Sequence, residues 1–261
     1  MTRGQRKKRV RMESFAMSMA AMMVDGQMTQ VDSIKVSCED DLFGYDSFTY
    51  LNWNDFDSVF AMDVLSGAVI SSYTMYLYEQ IKNGGKVDHG ICFITPTATM
   101  QFNKKGMIKN VDDSSRLVAD RLKGRKGNDI VLLPYNPGEH WVLGVIDMKN
   151  MDCYYLDSLR PSSVNFQFKQ IVDAAIGLYE SQSGSKKTRK LRWVNSKCPP
   201  QPGFTECGYY VLKFMKEVVR QGIVVLQKDN IGGDSNQYTD ADFDEIRAEW
   251  LGYACNFIFR P

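Results

Sequence analysis

The sequence lacks the features that mark several large classes of protein. No stretch reaches the roughly 18 to 20 uncharged apolar residues that a membrane-spanning helix requires. We therefore predict that the chain is not an integral membrane protein. The two histidines are His89 and His140, and neither has a second potential ligand at metal-site spacing. The chain also lacks glycines at the spacing of the Walker A phosphate-binding loop and has no G-x-G-x-x-G segment, which argues against a nucleotide-binding enzyme. These absences favour a chemistry that needs neither a metal nor another cofactor.

Cysteine pairs at close spacing are also missing. The chain has six cysteines and no C-x-x-C segment, and it is too large to depend on a disulfide framework. This usage predicts reduced thiols in an intracellular protein. Residues 15–24 are rich in Met and Ala and faintly resemble the core of a secretory signal, but they lack leucine, so secretion is the weaker alternative.

Charge is nearly balanced, with 32 basic and 31 acidic residues and a net charge of +1. The first eleven residues are an exception, since they hold six basic side chains and no acidic one: Arg3, Arg6, Lys7, Lys8, Arg9 and Arg11. Such an arm is compatible with nucleic-acid contact through residues 3–11, with a nuclear import signal, or with a solvated tail. We predict a poorly ordered basic and Met-rich extension over residues 1–45, followed by one domain over residues 46–261.

Apolar periodicity predicts both helices and strands in that domain. Helices are predicted over 55–80, 117–122, 166–179, 208–219 and 243–257. Strands are predicted over 90–94, 129–133, 141–147, 152–156 and 191–194. The connections between the three strands from 129 to 156 are short enough for an antiparallel meander. Helices that flank a small, mostly antiparallel central sheet make an α+β fold.

Cys207 begins the apolar segment that is predicted to be a buried helix. In the first turn of a helix, unpaired N–H groups and the helix dipole favour the thiolate, which is the reactive form of cysteine. An isolated cysteine is nevertheless more often an inert core residue. The assignment of Cys207 as a nucleophile therefore depends on its neighbours in the fold.

His140 and Asp157 are the candidates for those neighbours. His140 lies at the start of one predicted strand and Asp157 at the end of the next, and these are adjacent ends if the two strands form a hairpin. A carboxylate that accepts from one ring nitrogen leaves the other nitrogen to take a proton from a thiol. Taken separately, His140 also fits a hydrogen-bonded core histidine, and Asp157 a turn or helix cap.

Several short segments occur in a fixed order along the chain: His140-Trp141, Tyr155-Leu156-Asp157-Ser158, Gln201 and Cys207-Gly208. This series resembles the active site of the ubiquitin-like-protein proteases, the SUMO-protease family, including versions carried by plant transposable elements. The resemblance extends over roughly residues 50 to 260. It implies a papain-like catalytic domain of the ubiquitin-like protease type with a Cys207–His140–Asp157 triad. It also implies that the Gln201 amide joins the Cys207 N–H in an oxyanion hole.

The resemblance predicts a substrate-binding surface as well. Trp141 roofs a narrow substrate tail on this interpretation, although it also fits a core aromatic. Val64, Leu65 and Gly208 are the other predicted contacts. The family often has Trp-Leu-Asn-Asp where this chain has Val-Leu-Ser-Gly at 64–67, so one wall of the tail-binding tunnel is missing.

The implied reaction is hydrolysis after the C-terminal glycine of a SUMO-type modifier, in its precursor or its conjugates, in the nucleus or nucleocytoplasm and without a cofactor. Two other functions remain open. One is a weakly active or inactive module that binds a ubiquitin-like protein and contacts nucleic acid through the basic arm. The intact Cys207, His140 and Asp157 argue against it. The other is a small-molecule hydrolase or an acyltransferase that uses the same triad, because a triad does not fix the acyl donor.

Overall fold

The computed structural model describes residues 33–84, 87–99, 111–136, 138, 140–161, 163–182, 189–233 and 237–258. The strands in these ranges are β1 (Ile34–Cys38), β2 (Ser47–Leu51), β3 (Ile91–Phe93), β4 (Ile130–Tyr135), β5 (Val142–Asp147), β6 (Asp152–Leu156) and β7 (Arg192–Asn195). The helices are α1 (Asp40–Phe43), α2 (Trp53–Ala61), α3 (Gly67–Lys82), α4 (Pro96–Thr99), α5 (Val111–Lys123), α6 (Phe166–Gln182), α7 (Cys207–Gln221), α8 (Val224–Gln227) and α9 (Asp240–Ile258). None of the described helices is long and apolar enough to cross a membrane.

A five-stranded sheet in the order β3-β4-β5-β6-β7 forms the centre of the fold. Strands β4, β5 and β6 pair antiparallel, which confirms the predicted meander and the α+β class. The two outer pairs, β3–β4 and β6–β7, are parallel, so the sheet is mixed. A parallel neighbour requires a crossover connection, and helices α5 and α6 lie in the two crossovers.

Both faces of this sheet are buried. Along β5, Leu143 and Val145 point into a core cluster shared with α3, α7 and α9, whereas Val142 and Ile146 point into a second cluster shared with α5 and α6. Side chains of a strand alternate between its faces, and a sheet covered on both sides needs apolar residues on each. The middle strands therefore appear in the sequence as continuous apolar runs.

The N-terminal boundary of the folded domain differs from the prediction. Residues 34–43 were expected in the extension, but β1 pairs with β2 and α1 buries Leu42 and Phe43. The acidic residues at 39–41 directly precede these two apolar residues, so no apolar periodicity was recognised there. Arg121 of α5 donates to the carbonyl oxygens of Asp41 and Leu42, which ties this segment to the domain. The predicted basic arm lies outside the described residues.

The single helix predicted over 55–80 is two helices. Met62 takes the left-handed conformation with φ 59° and ends α2. Ser66 then starts α3, where its side chain accepts from the backbone N–H of Val69 and donates to Asp55 Oδ1 at 2.5 Å. Both helices bury apolar faces in the same core cluster, so the apolar spacing alone does not reveal the break. The break puts Leu65 in the connection between α2 and α3.

Candidate active site

His140 and Asp157 meet at one end of the β5–β6 pair, as their positions in the hairpin predict. Leu143 is paired with Leu156 across the two strands, so the residues just before β5 lie beside those just after β6. The Nε2–H of His140 donates to Asp157 Oδ1 at 2.7 Å. This bond fixes the ring orientation and leaves Nδ1 for another partner.

Asp157 is held by more than the histidine. Its carboxylate also accepts from the hydroxyl of Tyr155 at 3.0 Å and from the backbone N–H of Leu159 at 2.9 Å. Its backbone carbonyl accepts from the thiol of Cys198 at 3.3 Å. The side chain is 6% exposed. A buried carboxylate with several donors keeps one geometry, which is what an orienting acid requires.

Cys207 is the first residue of α7 and is 1% exposed. The next two side chains anchor the start of this helix, since Tyr209 donates to the carbonyl oxygen of Ser58 and Tyr210 to that of Pro200. The thiol of Cys207 lies close enough to His140 to contribute to the raised pKa of the imidazole. The structure thus brings Cys207, His140 and Asp157 together from three separate parts of the chain.

The electrostatics of this group favour a charged histidine. Burial lowers the pKa of His140, but the hydrogen bond to Asp157 and the interaction with the neighbouring Cys207 outweigh it and raise the pKa to about 9. At neutral pH the ring of His140 is therefore an imidazolium, next to Cys207 at the N-terminus of α7.

The other five cysteines have no such environment. Burial raises the pKa of Cys92 and Cys198 to about 11 and that of Cys255 to about 12, and it also raises the pKa of Cys38 and Cys153. These thiols are therefore uncharged at neutral pH. All six cysteines are free. In the described part of the chain, no group of three or more His, Cys, Asp and Glu side chains could hold a metal ion.

Gln201 lies in the loop before α7, in a defined orientation. Its Oε1 accepts from the hydroxyl of Ser158 at 2.5 Å, and its Nε2 donates to the carbonyl oxygen of Gly203 at 2.8 Å. Its backbone N–H donates to the carbonyl oxygen of Ser158 at 3.0 Å. Because Ser158 follows Asp157, the predicted oxyanion donor is attached to the same turn as the predicted acid.

The four predicted substrate contacts differ in exposure. Val64 is 46% exposed, whereas Leu65, Trp141 and Gly208 are buried. Trp141 donates its indole N–H to the carbonyl oxygen of Leu65 at 2.8 Å, and a Cβ on Gly208 would lie 2.8 Å from that of Leu65. Trp141 is thus a core aromatic in this structure, and its contact with a substrate stays a prediction.

The comparisons with known proteins agree with this arrangement. Residues 65–251 match the model for the Ulp1 protease family, C-terminal catalytic domain. The chain belongs to this family. The matched span includes every predicted site residue except Val64, which lies immediately before it. Sequence comparison with curated proteins gives no match.

Solved structures show that this Ulp1-type domain has the fold of its family. The yeast Ulp1 protease domain in complex with Smt3, the yeast ortholog of SUMO, has 15% identity and a TM-score of 0.56, over 91% of this chain and 94% of that one. The Chaetomium thermophilum Ulp1-like SUMO protease catalytic domain has 18% identity and a TM-score of 0.55, over 81% of each chain. The Xanthomonas campestris effector XopD bound to ubiquitin has 21% identity and a TM-score of 0.51, over 73% and 91%.

Tyr155 and Ser158 belong to the motif that flanks Asp157, but no role was predicted for either residue. The contact of Tyr155 with Asp157 could have been predicted from the sequence. Residues two apart on a strand point to the same side of the sheet, so the two side chains are neighbours. For Ser158 no local signal exists, since its partner Gln201 lies 43 residues away.

Proposed function

We propose that this protein is a cysteine peptidase or isopeptidase that cleaves after the C-terminal glycine of a ubiquitin-like modifier such as SUMO. The observation that carries the proposal is the position of His140, which is hydrogen-bonded to Asp157 and lies next to Cys207, whose thiol contributes to its raised pKa. Cys207 is the nucleophile, His140 the general base and acid, and Asp157 the orienting acid.

In the reacting form, the proton of the Cys207 thiol is on His140 and Cys207 is the thiolate. The thiolate attacks the carbonyl carbon, a C–S bond forms, and the carbonyl π electrons move to the oxygen. The Gln201 amide and the Cys207 N–H stabilise this oxyanion. As the C–N bond breaks, His140 gives its proton to the leaving amine. A water molecule then attacks the thioester carbonyl while His140 takes its proton. The C–S bond breaks, which releases the acyl part as a carboxylic acid and restores Cys207 beside the protonated His140.

The substrate class is supported by the relatives. The yeast Ulp1 domain is solved with Smt3 and the XopD effector with ubiquitin, so two members of this fold bind modifiers of one structural type. A narrow tail ending in glycine suits a nucleophile that is 1% exposed, because a bulkier residue at the scissile bond would be obstructed. Peptide and isopeptide bonds have the same acyl part, so both are candidate substrates.

The test is covalent capture with a panel of ubiquitin-like proteins, each with a thiol-reactive group at its C-terminus. The Cys207→Ala variant removes the nucleophile, and Cys255→Ala is the matched control because that cysteine lies in α9, outside the group formed by His140, Asp157 and Cys207. We expect an adduct with one panel member in the wild type and in Cys255→Ala, and none in Cys207→Ala.

Two other results would redirect the assignment. If no modifier reacts but iodoacetamide still modifies Cys207, the nucleophile stands and the substrate is a different acyl compound. If the folded protein captures a modifier without a covalent bond and Cys207 stays unreactive, the protein is a binding module.

A further inference from the structure

Ser158 contacts Gln201 at two points. Its hydroxyl donates to Gln201 Oε1 at 2.5 Å, and its carbonyl oxygen accepts from the Gln201 backbone N–H at 3.0 Å. Ser158 is 2% exposed, so water has little access to compete with these bonds. The two contacts fix the position of the backbone and the position of the amide oxygen of the same residue.

The two ends of the Gln201 amide are not equivalent at this site. Gly203 offers a carbonyl oxygen, which only accepts, so it must face Nε2, and the observed distance is 2.8 Å. The Ser158 hydroxyl faces Oε1 and donates to it. A rotation of the amide by half a turn would place Oε1 against the Gly203 oxygen. Both contacts therefore favour one orientation, in which Nε2 has a second hydrogen for another acceptor.

Ser158 also connects this amide to the rest of the site. It directly follows Asp157, whose carboxylate accepts from His140 and from the N–H of Leu159. On the other side of the loop, Tyr210 of α7 donates to the carbonyl oxygen of Pro200, the residue before Gln201. The loop that bears Gln201 is thus fixed both to the turn of the acid and to the helix of the nucleophile.

We propose that Ser158 is a positioning residue that sets the orientation of the Gln201 amide, so that Nε2–H faces the oxygen that gains charge during acyl transfer. This rests on the proposed function, in which Gln201 stabilises the oxyanion. Without the Ser158 hydroxyl, one of the two contacts that select this orientation is lost. The amide then spends time with its oxygen toward the oxyanion, where two negative oxygens repel each other.

The experiment compares wild type, Ser158→Ala, Gln201→Ala and the double variant by two readouts. The first is turnover of a modifier with a fluorogenic C-terminal amide, using the panel member that is captured by Cys207. The second is the rate of Cys207 alkylation by iodoacetamide, a reaction that forms no oxyanion. A change confined to the first readout identifies an effect on oxyanion stabilisation rather than on the nucleophile.

We expect Ser158→Ala to lower kcat about tenfold, with KM and the alkylation rate within about twofold of wild type, and Gln201→Ala to lower kcat about a hundredfold. The double variant is expected to match Gln201→Ala, because Ser158 acts through Gln201. Ser115→Ala is the control for the loss of a buried hydroxyl. The Ser115 hydroxyl lies 2.7 Å from the carbonyl oxygen of Val111 and 3.1 Å from that of Ile171, beside the second core cluster, so its loss should lower Tm and leave kcat unchanged.

The inference is overturned if Ser158→Ala turns over substrate like the wild type, if its turnover and alkylation fall together, or if its effect persists undiminished in the Gln201→Ala background. Absence of turnover by the wild type, despite alkylation of Cys207, is a different result. It would overturn the proposed function and, with it, the role of Ser158.

Discussion

The indole N–H of Trp141 donates to the backbone carbonyl oxygen of Leu65 at 2.8 Å. This bond attaches the residue after His140 to the segment that leads into α3. Leu65 in turn packs closely on Gly208, the residue after Cys207. His140 and Cys207 are therefore each followed by a residue that contacts Leu65, and their relative position depends on that contact.

Gly208→Ala tests this dependence. A Cβ at position 208 would lie 2.8 Å from Leu65 Cβ, closer than side chains tolerate, so Leu65 or α7 must shift. We expect a loss of about 1–3 kcal/mol in the free energy of unfolding, measured with urea, as for other overpacked cores. We also expect slower capture of the modifier.

Gly177→Ala is the matched control for that variant. Gly177 is an exposed helical residue of α6, and a Cβ there meets nothing within 4 Å. Alanine should raise the free energy of unfolding by about 0.5–1 kcal/mol, because glycine is the poorer helix former. Equal stability and equal capture rates in the two variants would show that the Leu65 contact has no such role.

Tyr155→Phe removes the hydroxyl that donates to Asp157 Oδ2 at 3.0 Å. Loss of this bond leaves the carboxylate with fewer donors and a less restricted orientation, so we expect kcat/KM to fall about tenfold and the free energy of unfolding to fall by about 1 kcal/mol. Tyr135→Phe is the control, since its hydroxyl contacts Gln167 and not Asp157. Similar kcat/KM values for the two variants would contradict the role given to Tyr155.

The pH dependence of turnover tests the charge of His140. Burial lowers the pKa of His140, but Asp157 and Cys207 raise it to about 9. His140 therefore stays protonated well above pH 6.5, the ordinary pKa of histidine, and loses its proton as the pH rises through 9. In the proposed mechanism, the leaving amine takes its proton from this imidazolium. We expect kcat to be level from about pH 7 to 8 and to fall about tenfold for each further unit well above 9.

Circular dichroism at each pH shows whether the fold persists over this range. The raised pKa also means that protonation of His140 contributes stability below about pH 6.5 and that this contribution is lost as the pH rises through 9. A decline of kcat that starts near pH 6.5 in the folded protein would show that Asp157 and Cys207 do not raise the pKa of His140.

Arg121→Lys tests how the N-terminal segment is attached. The guanidinium of Arg121 donates to the carbonyl oxygens of Phe93, Gly124, Asp41 and Leu42. A lysine ammonium cannot reproduce this planar set, so we expect a loss of about 2 kcal/mol in the free energy of unfolding. Faster proteolysis within residues 33–45 should accompany it. Arg116→Lys, on the exposed side of the same helix, should leave both measurements unchanged.

Local sequence determined the meander and the pairing of His140 with Asp157. The two strands are joined by a short connection, so their pairing and the adjacency of their ends follow from apolar runs and turn residues alone. The position of Cys207 at the start of α7 follows in the same way from helical periodicity. These features depend on residues close together in the chain, where few arrangements compete.

Tertiary structure alone decided the rest. The break between α2 and α3, the attachment of residues 34–43 through Arg121, and the contact of Ser158 with Gln201 each depend on where distant segments pack. Arg121 lies about 80 residues from Asp41, and Ser158 lies 43 residues from Gln201. A hydrogen bond of this kind forms only after the core has brought its partners together, so no periodicity in the sequence records it.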